Sequence, residues 1–362
     1  MKKFAGSLFA IAIVAAGYLL FWPVPIEPVA WQAPENQGYT GRFEANRDLQ
    51  ALKFVDLKGD SGPEDAAVGP DGALYVPTHS GKIVKVTVPE GTVTDFAEPG
   101  GRVLGIEYSD NGTLYAADAY RGLLRIGKDG TVTVLADKTD DGSPILYAND
   151  LDVAEDGTIY FSDASTRFGA KANGGTLPAS ILDLMEHGAS GRVLKYDPET
   201  GQASTLLEGR HFANGIALAA DGSYLLIAET GTYSVLKHWL KGEKTGHTET
   251  ILENLPGFPD NINGNPDGSF WLGMVSPRSA PVDGISDSPF LRKIVMRLPA
   301  AFRPKPQRYG FAIRLNGDGE ILDTLQDPSG DYALVTGAID IGDGMVAVTS
   351  LTEPRLGYLE AR

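Results

Sequence analysis

An Asp-Gly or Asn-Gly pair, set between two β-rich runs, recurs six times in this chain and restricts its fold more than any other feature. The pairs are Asp71-Gly72, Asn111-Gly112, Asp156-Gly157, Asp221-Gly222, Asp267-Gly268 and Asp343-Gly344. Such dipeptides between strand-like runs are a strong hairpin signal, because tight turns need residues that tolerate positive φ. Each is followed by strand-like sequence, such as Ala73-Leu-Tyr-Val76, Thr158-Ile-Tyr-Phe161 and Ser269-Phe-Trp-Leu272. Six units in about 310 residues leave roughly fifty residues per unit, the span of four strands with their turns, which predicts an all-β six-bladed β-propeller. No long amphipathic helix alternates with the strands, so a parallel α/β sheet is disfavoured.

Counting back seven residues from each turn gives Glu64, Leu104, Asn149, Asn214, Asp260 and Thr336. In a propeller the inner strand of each blade borders the central channel, so equivalent positions converge on the axis. Glu64, Asn149, Asn214 and Asp260 therefore predict a ring of hard oxygen ligands with two carboxylates, which suits Ca²⁺ better than zinc or copper. Asn and Asp also start strands as local turn formers. That explains four positions at one register poorly, and Glu64 least of all.

Counting seven or eight residues forward from the turns gives a second set: His79, Asp118, Asp163, Glu229, Met274 and Ser350. His211 lies three residues before Asn214 and is expected to face the same site. His79 and His211 are candidate general bases, although a lone His is more often a surface or hydrogen-bonded residue. Asp118 and Asp163 are expected either to orient ligands or to turn the chain. Two long connections, residues 167–191 and 275–310, leave from the ring's end of the propeller, where they can wall or cover a pocket; plain surface decoration or contact with the nearby bilayer is the alternative.

Ahead of the repeats, Lys2 and Lys3 precede an uncharged run over residues 4–22, closed by prolines from Pro23 to Pro28. Nineteen residues at about 1.5 Å each just cross a hydrocarbon core of roughly 30 Å. A cleaved signal peptide ending near Ala15-Ala16-Gly17 is the alternative, but Tyr18 to Trp22 extend the apolar run and finish on an interfacial aromatic. The expected organisation is a membrane anchor over 1–22, a linker over 23–49 and the propeller over 50–362, on the extracytoplasmic side. The formal charge of −16 disfavours nucleic-acid partners. The absence of cysteine removes disulfides, thiolate metal sites and Cys nucleophiles. No His-Glu-x-x-His, Gly-x-Ser-x-Gly or P-loop pattern occurs.

Five motifs in order carry a family likeness: Phe161-Ser-Asp-Ala-Ser-Thr-Arg-Phe168, Gly191-Arg-Val-Leu-Lys-Tyr-Asp-Pro198, Phe212-Ala-Asn-Gly215, Ala228-Glu-Thr230 and Leu255-Pro-Gly-Phe-Pro-Asp-Asn-Ile262. Over residues 50–362 the chain resembles the strictosidine-synthase-like proteins, related to the gluconolactonase, paraoxonase and diisopropylfluorophosphatase propellers. The resemblance implies a central Ca²⁺ held by Glu, Asn, Asn and Asp, which fall here on Glu64, Asn149, Asn214 and Asp260, and membrane-anchored members with a signal anchor. It departs from the plant synthase at Val335-Thr-Gly-Ala338, where no carboxylate stands for the synthase's catalytic glutamate. Amine–aldehyde condensation therefore has no evident catalyst here. The expected activity is a Ca²⁺-dependent hydrolysis of a small lactone or aryl ester, with Asp260 positioning or activating the nucleophile. A membrane-tethered binding or scaffold propeller with structural calcium is the alternative, and nothing marks a quinone site for a propeller dehydrogenase.

Overall fold

A computed structural model describes residues 13–360. The strands form six four-stranded antiparallel sheets, five of them built from consecutive strands. The sixth takes three strands from the C-terminal end and its outermost strand, Lys53–Asp56, from the N-terminal side. There Lys53 pairs with Tyr358 and Asp56 with Arg355, so the ring is closed by hydrogen bonds between residues about 300 positions apart in sequence.

All six predicted turn glycines have positive φ, between 65° and 83°. In five of the six turns the Asp or Asn side chain also accepts the backbone N–H two residues on, as Asp156 does from Thr158 at 2.9 Å and Asp221 from Ser223 at 2.9 Å. The dipeptide thus supplies both the left-handed residue and a side-chain acceptor that stands in for a turn carbonyl. Blade six does this differently: Asp343 itself takes φ 52°, and Asp340 accepts the N–H of Gly342.

Each blade packs its buried aliphatic faces against its neighbours. One such cluster joins Ala217, Leu226 and Val235 of blade four to Ile262, Leu272 and Ile313 of blade five. At the axis the inner strands lose regular pairing at the seven-back positions, with register shifts across 149–150, 214–215 and 260–261. A bulge breaks the in–out alternation, so two successive side chains are aimed into the channel. Gly215 is required there, because a Cβ would stand 2.4 Å from the Ile262 nitrogen and 2.5 Å from the Asp260 carbonyl of the next blade.

The two long connections form a cap over one end. The first carries the cap helix Thr176–Glu186, the second a short turn at Ala280–Asp283 and the cap helix Pro289–Arg297. The stretch expected as a free linker is packed instead as a strap across this cap. Ile26 is fully buried among Leu104, Phe168, Met185 and Met296, and the N–H groups of Val29 and Trp31 donate to the carbonyls of Glu186 and Ser286. Prolines along it favour an extended chain with few internal donors, which docks by its carbonyls: Arg278 donates to Pro34 and Arg292 to Val29. Most of the expected anchor, residues 1–12, lies outside the described residues. Residues 13–21 are helical, and among the described residues no helix is long and apolar enough to cross a membrane.

Trp31 of the strap stacks on His187 at 4.1 Å, and His187 stacks on His211 at 4.0 Å. Burial, helped by neighbouring His211 and Arg292, holds the His187 imidazole neutral down to about 3, against an ordinary 6.5. The folded value lies below the unfolded one, so the contribution is complete above about 6.5 and is lost as the pH falls toward 3. The melting temperature is expected to drop on acidification from about pH 7 to about pH 4, and His187→Asn, which tolerates the left-handed conformation at this position, is expected to flatten that drop. An equal acid slope in wild type and variant, read by thermal unfolding, contradicts this assignment.

Candidate metal centre

Five of the six seven-back positions line one cavity of about 170 Å³ beneath the cap: Glu64, Leu104, Asn149, Asn214 and Asp260. All five are buried. The sixth, Thr336, stays out of the cavity and donates its hydroxyl to the Glu64 carbonyl at 2.6 Å. The walls above the ring are mainly apolar, formed by Ile181, Leu184 and Met185 of the first cap helix, Val295 and Met296 of the second, and Phe212 and Phe258 from the blades.

The ring side chains are held from outside it. Asn214 donates its Nδ2 to the Thr230 hydroxyl at 3.1 Å, and Thr230 in turn donates to the Pro259 carbonyl at 2.7 Å. With its amide oriented in this way, Asn214 Oδ1 is buried and receives no donor among the described residues. Glu64 accepts from Arg102 at 2.7 Å in an ion pair buried on both sides, and Arg102 also donates to the Thr78 carbonyl. Burial raises the Asp260 carboxyl well above the usual carboxylate range, and the Glu64 charge adds to it; burial also raises Glu64, against the pull of Arg102.

An unpartnered amide oxygen and two carboxylates that repel each other in one buried ring fit a hard divalent cation, which supplies the missing partner and the missing charge. The residues that would hold such a cation are Glu64, Asn149, Asn214 and Asp260. Among the described residues there is no cluster of three or more His, Asp or Glu arranged to hold a metal; this ring mixes two carboxylates with two amides. Arg102 offsets one of the two negative charges, so the ring is less strongly cation-attracting than its formal composition.

The residues one step further along the bulged strands join the blades. Asp65 accepts the N–H of Ile106 at 3.0 Å and Asp150 that of Ile216 at 2.8 Å, each in the next blade, while Asn261 donates to the Glu64 carbonyl at 3.1 Å. These bonds give the exposed edges of the inner strands partners that no sheet provides.

The forward set is structural. Asp118 accepts the N–H of Arg102, Asp163 that of Tyr147, and Glu229 that of His211, each fixing the loop that enters its blade's inner strand. Asp118 and Asp163 thus turn and fix the chain at the ends of their strands. Neither candidate histidine lines the cavity. His79 is exposed on the rim, its N–H on the Ser61 carbonyl. His211 is turned aside because Phe212 adopts φ 61°, which sends the phenyl ring into the pocket and the imidazole into the stack with His187. Arg102, Tyr147, Phe212 and Thr230 are the contributors that counting from the turns missed. Only Phe212 and Thr230 sat in motifs already singled out, and no local signal marks Arg102 as the partner of Glu64.

Sequence comparison adds an independent line. The family model described as strictosidine synthase matches residues 149–243, and the strictosidine synthase-like N-terminal model matches residues 41–86. A strictosidine synthase-like 10 protein of Arabidopsis thaliana is 34% identical, covering 88% of this chain and 90% of its own length. An adipocyte plasma membrane-associated protein of Salmo salar is 33% identical, covering 99% and 92%. Among solved structures, a gluconolactonase of Xanthomonas campestris superposes with a TM-score of 0.62 at 16% identity over 86% of this chain and 90% of its own. A calcium-binding regucalcin of Agrobacterium tumefaciens does so with a TM-score of 0.57 at 16% identity over 88% and 95%. At those identities the structures establish the propeller fold. With both family models matched in order and relatives above 30% identity along nearly the whole chain, the protein belongs to the strictosidine-synthase-like family of six-bladed propellers.

Proposed function

We propose that this protein is a Ca²⁺-dependent hydrolase of lactones or aryl esters. The observation that carries the proposal is the buried, donor-less Asn214 Oδ1 in a ring with two carboxylates, at the floor of an apolar pocket. The calcium-binding and gluconolactonase propellers that share the fold support it. Bound Ca²⁺ supplies a Lewis acid for a carbonyl oxygen. The chain's own residues do the rest. Ile181, Leu184, Met185, Val295 and Met296 exclude bulk water and hold the apolar part of an ester. Thr230 fixes the orientation of the Asn214 amide, and Arg102 holds Glu64. Asp260, whose carboxylate has the Asn214 amide as its hydrogen-bonding neighbour among the described residues, would orient the attacking water and take its proton at a carboxylate oxygen.

Thr336 occupies the blade-six position without a carboxylate, and its hydroxyl is committed to Glu64 and Thr349. This supports hydrolysis over amine–aldehyde condensation. The second reading, a non-enzymatic propeller with structural calcium, draws on the inter-blade bonds of Asp65, Asp150 and Asn261, which show the channel side chains holding blades together. For location, the relatives described as plasma membrane-associated align with nearly all of this chain, which supports membrane association through an anchor over residues 1–22; the propeller on the extracytoplasmic side rests on Lys2 and Lys3 alone.

A panel of lactones and aryl esters is expected to show turnover that falls at least ~100-fold with chelator and returns with Ca²⁺. Asp260→Asn is expected to lose a similar factor; Ca²⁺ that binds and stabilises without any turnover across the panel favours the structural reading. Calcium at about 100 times its Kd is expected to stabilise the wild type by about 2.7 kcal/mol, an effect that Asn214→Leu should abolish in calorimetry. Arg102→Gln is expected to destabilise the chelated protein by about 3–5 kcal/mol, through the unpaired Glu64, while tightening Ca²⁺ binding measured by titration. Weaker binding in that variant contradicts the charge-offset role given to Arg102.

A further inference from the structure

The second cap helix buries its arginines and exposes the apolar residues of its first turn. Its arginines point inward: Arg292 is 1% exposed and donates to the carbonyls of Met185 and Ser286, and Arg297 is 7% exposed and donates to those of Leu19 and Trp22. Val295 and Met296 face the pocket, but the apolar residues of its first turn point outward, with Phe290 54% and Leu291 42% exposed, and Phe302 just beyond the helix at 74%. A helix at a water surface ordinarily shows the reverse arrangement. The exposure is also concentrated. Of the large apolar side chains exposed among the described residues, all but Phe54, Val134 and Leu322 belong to the N-terminal helix, the strap or the two cap segments.

Charge follows the same distribution. Residues 289–308 hold six cations and no carboxylate, in a chain with a formal charge of −16. Two of the six are turned inward as described, Lys293 pairs with Glu27, and Arg308 pairs with Glu353. Arg303 donates only to the carbonyls of Leu298 and Met296, and Lys305 is exposed with no ion pair among the described residues; both stand at the mouth of the pocket. Of the nearby carboxylates, Glu186 and Asp283 are tied to Arg167 and Arg278, and Asp287, just before the helix, acts on Arg292. Finally, the Arg297 clamp on Leu19 and Trp22 fixes where the apolar N-terminal helix joins the body, and that place is this same end.

We infer that the pocket end of the propeller docks on an anionic lipid bilayer, with Phe290, Leu291 and Phe302 in the interface and Arg303 and Lys305 against the headgroups. Apolar anchors beside uncompensated cations are the chemistry that recognises such a surface, whereas the remainder of this acidic molecule is repelled by it. The pocket mouth then opens toward lipid, and apolar esters reach the ring without crossing water. The docking rests on the surface and the clamp, and not on the catalytic reading.

The lack of cysteine makes the test direct. Leu291→Cys, Phe302→Cys and, as a control at the opposite end of blade five, Leu322→Cys are each labelled with an environment-sensitive fluorophore in the full-length chain. The chain is then reconstituted in phosphatidylcholine vesicles with and without phosphatidylglycerol. The expected result is blue-shifted emission at 291 and 302, several-fold quenching there by nitroxide-bearing lipids, and neither effect at 322. Replacing Arg303 and Lys305 together by Gln should reduce the shift in anionic vesicles and remove its salt sensitivity. Emission at 291 and 302 as water-like as at 322, in vesicles that carry the protein, overturns the proposal. So does an equal shift at all three sites, or a shift that appears without vesicles as the protein concentration rises, which would mark self-association.

Discussion

Six inner strands meet at the axis of this propeller without forming a sheet with one another, and most of what is particular to the molecule follows from how that junction is satisfied. Strand edges facing a buried channel carry backbone donors and acceptors that need partners. Here Asp65 and Asp150 accept N–H groups of the next blade, Asn261 and Thr336 donate hydrogen bonds to the Glu64 carbonyl, and Asn263 donates one to the Ala338 carbonyl. The residues just before Asp65, Asp150 and Asn261, namely Glu64, Asn149 and Asp260, face the cavity under the cap, the last two at bulges in their strands. In those two strands the ring and the inter-blade bonds are therefore two products of one backbone irregularity.

Carboxylates gathered in this way are costly to leave without cations. Burial raises Asp65 to about 7 and Asp150 well above the usual range, with each other's charge among the causes for Asp150. The chain answers part of that cost with Arg102 at Glu64 and with backbone donors at Asp65 and Asp150. Asp260 and Asn214 Oδ1 receive no comparable compensation from the protein. That asymmetry separates the part of the channel that holds the fold together from the part able to take a ligand.

Around this hub the cap and strap make a second unit of a different kind. They are joined less by regular sheet than by arginines reaching main-chain carbonyls: Arg278 to Pro34, Arg292 to Met185 and Ser286, and Arg297 to Leu19 and Trp22. A guanidinium presents five donors in a fixed fork, so one side chain can fasten several extended segments that have no partner strand. The stacked Trp31, His187 and His211 complete the join between strap, cap helix and blade four.

The turns, the blade count and the four oxygen-bearing positions were legible in the residue order, because each depends on contacts within a few residues and on a repeat whose register is local. Asp71-Gly72 makes its turn with its own side chain and its own positive φ, wherever the rest of the chain lies. The likeness to known propellers pointed to the same ring. Partners far apart in sequence were not legible: Glu64 with Arg102, the strap with the cap, and the closing strand at Lys53 with Tyr358. Nor was the direction of His211, since one left-handed residue at Phe212 turns it from the cavity to the stack. Residue order determined which side chains stand at equivalent heights in the blades. Tertiary packing decided which of them face one space, because that depends on bulges, long-range donors and a single backbone dihedral that neither pattern nor composition encodes.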